Sequence, residues 1–332
     1  MTRLPPDHHL SQALRQILGQ PQTGAPGAGE VFLERLRGSH RVFRFTFAGE
    51  EAAVVGKFFA AHPPSTAKDR DLFQEYHNYL EAPVLGLNEP GSRIPRLLGH
   101  CPEMRLGLLL EAIPGPDLDS LLARAAGPEG PDTLYPYLAR LARLLAFFHR
   151  RPLSASPVAP PPALDYLAKL GRQLAGQGLL ASGDEQLLEK EGLAWGSLLE
   201  HFPDRQVLIH GDATPTNFLF PDGGAVALDL ERLRVGDRLW DLSWVAGELK
   251  HAWGWRAGDF LAAEGPIRHF FQAYLEAVGA DSALTRRIFG LNPFYMALAE
   301  LRVARNAYLS WDYRRALLDE ALQCLTSGRR NL

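Results

Sequence analysis

The stretch that most constrains this chain is residues 207–229, VLIHGDATPTNFLFPDGGAVALD. Val207, Leu208 and Ile209 form a β-type run that delivers the chain into His210, Gly211 and Asp212. A polar loop follows, and Asn217 then opens a second apolar run, Phe218, Leu219 and Phe220. Pro221-Asp222-Gly223-Gly224 reads as a hairpin turn, and the return run ends on Asp229. Taken singly, Asp212 and Asn217 are ordinary turn residues and Asp229 an ordinary strand end. In this order, between β-type runs, they place three side chains able to hold a metal or a proton at strand ends of one short hairpin.

Asp212 and Asn217 are 217 − 212 = 5 positions apart. The protein kinase catalytic loop has its Asp and Asn at that spacing, with a metal-binding Asp on the strand pair that follows. Here His-Gly-Asp replaces His-Arg-Asp, and Asp229-Leu230-Glu231 stands where Asp-Phe-Gly would be. In that form the chain resembles the aminoglycoside phosphotransferase and choline kinase-like superfamily, the small-molecule branch of the kinase fold. Gly236-Asp237-Arg238-Leu239-Trp240-Asp241-Leu242 resembles the same family's Asp-Arg-x-x-Asp-Leu string. The resemblance covers residues 30–332 and is specific only between His210 and Asp241.

The resemblance implies an α+β, bilobal protein kinase-like fold. A small antiparallel-sheet N-lobe with one helix would span 30–112 and a mostly helical C-lobe 113–332, while residues 1–29, rich in Pro, Gly and Gln, read from composition as a flexible leader. It implies ATP and Mg²⁺ as cofactors and transfer of the γ-phosphoryl to a small hydroxylated acceptor. Asp212 would orient and deprotonate the hydroxyl, a task suited to a carboxylate. Asn217 and Asp229 would hold Mg²⁺, which takes hard oxygen ligands and keeps several waters. Asp237 is placed to cap the helix that begins at Arg238, and Asp241 to accept backbone amides of the His-Gly-Asp loop. His210 and Gly211 are read as structural for that loop.

Upstream, residues 30–59 read as three short strands with turns at Gly38-Ser39 and Gly49-Glu50. Gly38 and Ser39 resemble the tip of a phosphate-covering loop, reduced to one Gly. Lys57 lies inside an apolar run; a mid-strand Lys can face solvent, yet its place in the third strand resembles the Lys that contacts the phosphates. Its partner is assigned to Glu75 on a helix expected over 67–82, with Glu81 at that helix's end as the competitor. Strands at 94–99 and 106–110 lead into Glu111-Ala112-Ile113, where the resemblance places the adenine contacts, made by backbone groups of Glu111 to Ile113.

With 46% apolar and 22% charged residues, the chain is a globular protein, and 332 residues predict two domains or lobes. A net charge of −3 gives no electrostatic reason for nucleic acid or an anionic membrane as partner. Cys101 and Cys324 make neither a disulfide framework nor a zinc site. The start has no apolar core of signal-peptide length and no run approaches a transmembrane span, so a cytoplasmic enzyme without membrane insertion is expected. Aromatic residues of the late helices, such as Trp253, Trp255, Tyr295 and Trp311, are read first as core. No dense acidic cluster of the kind that neutralises a polycationic aminoglycoside is present. Kinases acting on an envelope sugar, choline or an amino alcohol are the alternatives within the superfamily. A non-catalytic nucleotide-binding pseudokinase is a further one. A protein kinase is disfavoured, because no Ala-Pro-Glu activation segment follows Asp229.

Overall fold

A computed structural model of the protein describes residues 1–19, 30–36, 41–49, 53–61, 63–87, 94–150 and 156–330. The expected loop tip Gly38-Ser39 lies outside the described residues. The chain divides into two units: residues 1–115 with 226–233, and residues 116–225 with 234–332.

The first unit is built on β1 (Thr2–Leu4), α1 (His9–Ile17), β2 (Val31–Arg35), β3 (Arg41–Phe47), β4 (Ala53–Phe58), α2 (Ala67–Glu81), β5 (Leu97–Cys101) and β6 (Leu106–Glu111). Its antiparallel sheet runs β1-β2-β3-β4-β6-β5. Aromatic and polar residues alternate along β3, the pattern of a half-buried strand, and Phe45 and Phe47 turn inward. Val54 of β4 joins them in a core that also takes Leu4, Val31 and Leu14.

That core corrects the expected leader. Residues 2–4 pair with β2, in register Arg3 to Phe32, and the sheet gains an edge strand. Leu14 of α1 is fully buried, with Leu10, Ile17 and Leu18 packed beside it. The start of the chain is thus tied down because one sheet face, rich in Phe, needs an apolar cover. β5 begins at Leu97, not at 94, since Pro95 has no N–H to give a ladder.

Helix α2 starts at a reciprocal cap. Thr66 Oγ1 accepts from Asp69 N at 3.1 Å, and Asp69 Oδ2 accepts from Thr66 N at 2.9 Å. Leu72, Glu75 and Tyr79 then fall on one buried face.

The second unit holds α3 (Leu118–Ala125), α4 (Tyr135–His149), α5 (Pro161–Gly176), α6 (Ser182–His201), α7 (Leu239–Ala257), α8 (Glu264–Val278), α9 (Ser282–Ala304) and α10 (Trp311–Arg330). Four short strands fall among these helices in the chain: β7 (Val207–Ile209), β8 (Phe218–Leu219), β9 (Val226–Ala227, part of the first unit) and β10 (Arg234–Gly236). β7 and β10 pair antiparallel. Most of α7 and α9 is buried, so neither carries a clean amphipathic stripe. Among the late aromatics, Trp253 and Tyr295 are core, whereas Trp255 and Trp311 are about half exposed. No helix among the described residues is long and apolar enough to cross a membrane.

The core of the second unit contains one costly group. Glu300 of α9 is fully buried, and among the described residues neither carboxylate oxygen has a hydrogen-bond partner of ordinary geometry. Burial pushes its carboxyl up to about 8, partly offset by the Lys250 ammonium, while Glu320 adds to the rise. An acid whose folded-state pKa is raised loses stability as pH climbs from its unfolded value near 4.5 through about 8. Replacing Glu300 by Gln should therefore raise the Tm by several degrees at pH 8.5 and change it by less than about 1 °C at pH 5. Thermal unfolding at the two pH values checks this; an equal gain at both would show that charge is not the cause.

Candidate active site

In the first unit, β4 carries Lys57 opposite Val42 of β3 and Leu108 of β6. Its side chain is buried, and Nζ donates to Glu75 Oε1 and Oε2 at 2.7 and 2.8 Å. Glu75 lies at mid-helix on the buried face of α2 and is itself fully buried. Glu81, at the last turn, is exposed and makes no such contact.

Lys57 Nζ also donates to Asp229 Oδ1 at 2.5 Å. Burial alone would push the Lys57 ammonium down, yet the Glu75 and Asp229 carboxylates hold it above its ordinary range. Asp229 is left-handed, φ +54°, a conformation that Asp tolerates better than most residues but still at some cost. Contacts on both sides of the peptide unit help to hold it there. One is the Lys57 bond, and the other is made by the next residue: Asn78 Nδ2 donates to Leu230 O at 2.6 Å. Asn78 stands three positions beyond Glu75, on the same buried face of α2. The Asp229 side chain stays 41% exposed, so one face remains open to a ligand.

Glu111 pairs with Arg96 through its side chain, and its backbone N–H donates to Arg96 O at 3.1 Å. Ala112 N–H donates to Ala53 O at 3.2 Å. Ile113 N–H makes no backbone hydrogen bond among the described residues.

In the second unit β7 delivers the chain into His210, and Gly211 takes φ +79°, where a side chain would be strained. Asp241, fully buried on the first turn of α7, accepts from His210 N at 2.8 Å and Gly211 N at 2.9 Å. Its third contact is His149 Nε2 at 3.0 Å. Burial favours a neutral Asp241, but His149 and the Gly211 amide hold its carboxyl below the usual range. Burial likewise pushes His149 down. A neutral His149 therefore donates from Nε2 to Asp241, and Nδ1 accepts from the Tyr274 hydroxyl at 2.9 Å.

Asp212 follows, half-buried, with its N–H on His210 Nδ1 at 3.3 Å. Its carbonyl accepts from Thr214 N at 2.8 Å and from Asn217 Nδ2 at 2.9 Å. The reverse orientation of the Asn217 amide would set oxygen against oxygen, so Oδ1 is the end turned away from the loop.

Asp237 has a further role beside the expected cap. It accepts from Leu239 N at 3.1 Å, but its carboxylate is engaged by Arg287, at 3.0 and 2.7 Å, and by the Tyr295 hydroxyl at 2.7 Å. It fastens the start of α7 to α9. Arg238 pairs with Asp204, not with Asp241. His149, Asn78 and Arg287 were not singled out from sequence. Each meets its partner across a long loop of chain, and no local pattern announces it.

The chemistry of the set is that of anion handling and proton acceptance: a buried ammonium bridging two carboxylates in one unit, and in the other a carboxylate on a loop pinned by its backbone. A family model described as the phosphotransferase enzyme family (APH) matches residues 33–285. No curated protein sequence matches the chain. Among solved structures, a choline/ethanolamine kinase family protein from Mesorhizobium loti is similar at TM-score 0.58 and 17% identity, over 97% of this chain and 98% of that one. The choline kinase LicA from Streptococcus pneumoniae matches at 0.56 and 16%, over 96% and 99%. ADP-bound aminoglycoside phosphotransferase APH(2'')-Ib matches at 0.57 and 14%, again over 96% and 99%. These likenesses establish the α+β protein kinase-like fold. With the family model spanning most of its length, the chain belongs to the phosphotransferase enzyme family.

Proposed function

We propose that the protein moves the γ-phosphoryl of ATP to a hydroxyl of a small molecule, and that it does so in the cytoplasm, where ATP is abundant. The observation that carries this reading is the Lys57–Glu75–Asp229 arrangement. A lysine held charged by one buried carboxylate, and shared with a second that is exposed and conformationally constrained, suits the neutralisation of phosphate oxygens. The first unit would supply Lys57 for the phosphates, Asp229 for the metal and Ile113 N–H for the adenine edge. The second would supply Asp212 to orient the acceptor hydroxyl and take its proton, and Asn217 Oδ1 as an amide-oxygen ligand.

The donor set fits Mg²⁺. One carboxylate and one amide oxygen are hard ligands, and Mg²⁺ uses few protein ligands while keeping waters. Among the described residues no group of three or more His, Cys, Asp or Glu side chains forms a metal cluster of the all-protein kind. When bound, Mg²⁺ would neutralise charge on the β- and γ-phosphates. Asp241 and His149 keep the Asp212 loop in one conformation, so that little reorganisation is needed during transfer.

A ligand that binds only the native state raises apparent stability, by about 2.7 kcal/mol at a hundredfold excess over Kd. Thermal unfolding with ATP and Mg²⁺ should show a rise of several degrees, and ATP with EDTA much less. No shift with Mg²⁺ and ATP together would refute the reading.

A further inference from the structure

Near Asp212 the second unit gathers several charges. Glu248 of α7 lies within electrostatic reach of Asp212 and of Asp119 on α3. α3 packs against α7 and against the turn Pro215–Asn217 that follows Asp212. Each of these neighbouring acids already has a guanidinium. Glu248 is ion-paired with Arg302 of α9, and Asp119 with Arg256 at 2.9 Å. His251, one turn beyond Glu248, lies among Asp119, Arg256 and Arg302. Burial, then the two guanidiniums, hold it neutral, down at about 4.

The nearby rings are also engaged with one another. Tyr313 contacts Trp255 edge-on at 4.9 Å, Phe260 at 6.0 Å and His251 at 5.6 Å. Its hydroxyl donates to His251 O at 2.9 Å and meets His251 Nδ1 at 2.8 Å. Rings packed on each other in this way do not form the open cage that a quaternary ammonium needs.

Building on the phosphotransfer reading, we propose that the Glu248–Arg302 and Asp119–Arg256 pairs make the surface beside Asp212 selective for an uncharged, polyhydroxylated acceptor. A polycation would have to displace Arg302 to reach the Glu248 carboxylate and Arg256 to reach that of Asp119, and each like-charge approach opposes it. An uncharged polyol pays no such penalty. Its hydroxyls can accept from arginine N–H groups and donate to the outer oxygens of carboxylates that stay paired.

The test measures ADP formation by the full chain with Mg²⁺ and ATP. The uncharged probes are glucose, fructose, ribose and glycerol, and the cationic ones kanamycin and choline. At least one uncharged alcohol should raise ADP formation about tenfold over water, and neither cation more than about twofold. Kanamycin binding, followed by calorimetry, should tighten at least about tenfold in Arg302→Gln, where Glu248 loses its counter-charge. Arg256→Gln is the second variant if that one folds poorly. Strong stimulation of the wild type by either cation overturns the inference, as does unchanged kanamycin binding in the folded variants. So does a protein that consumes ATP yet responds to none of the uncharged alcohols. A chain that neither shows the Mg²⁺–ATP thermal shift nor consumes ATP would instead refute the phosphotransfer reading.

Discussion

Replacing Asp212 by Asn is expected to lower turnover about a thousandfold while leaving the Tm within about 1–2 °C of wild type. Two features separate function from stability at this position. Three loop bonds of Asp212 run through its backbone: N–H to His210 Nδ1, and C=O from Thr214 N and Asn217 Nδ2. Asparagine keeps all three and nearly the same volume. The side chain is only half-buried, so little packing is at stake. What asparagine cannot do is accept a proton as the acceptor oxygen attacks phosphorus. A positioned general base contributes typically about 10²–10⁴ in rate, and the residual rate comes from binding and phosphate neutralisation. Steady-state ADP release with a working acceptor, beside thermal unfolding, checks both halves. A variant with more than about a tenth of wild-type turnover would remove Asp212 from the reaction.

The residues that could be read from sequence are those whose role is set by a few neighbours in the chain. Asp212 and Asn217 share one loop, and the loop's geometry follows from Gly211 and the flanking β-type runs. Glu75 follows from helical spacing on α2, whose start is written in Thr66 and Asp69. Asp241 sits one turn into α7 and faces inward, which puts the amides of residues 210 and 211 within reach.

Long-range partners carry no such signal. Asn78 meets Leu230 O across 152 positions, and His149 meets Asp241 across 92. In sequence His149 is only a histidine near a helix end, where bonding to terminal carbonyls is the ordinary expectation. Asp237 is legible only in part: a residue just before a helix has the form of a cap, which it makes to Leu239 N, and nothing nearby reveals that Arg287 and Tyr295 will also claim its carboxylate. The first residues of the chain misled through composition. Pro, Gly and Gln suggested a loose leader, whereas the Phe-rich face of the sheet recruits Leu10, Leu14 and Ile17 as its cover. Helices α7 and α9 hide their orientation because burial on nearly every side erases periodicity.

The second large effect is one of stability. Lys57→Met should destabilise the first unit by about 3–5 kcal/mol, because it removes the counter-charge from a fully buried carboxylate. Both Glu75 oxygens take their bonds from Lys57 Nζ, and methionine offers none. The loss should shrink as pH falls. Burial already pushes the Glu75 carboxyl up, and without Lys57 it gains a proton more readily, so mildly acidic solution relieves the unpaired charge. Pairing the substitution with Glu75→Leu removes the buried charge as well. The double variant should recover about 2 kcal/mol or more relative to Lys57→Met, since replacing a buried ion pair by apolar residues is often close to neutral. Activity should not follow stability. The double variant has no ammonium to place against phosphate oxygens, so ADP formation stays low and the Mg²⁺–ATP thermal shift stays small in a chain that is folded again. If refilling the core also restored turnover, Lys57 would be a packing residue and the phosphate role assigned to it would fail.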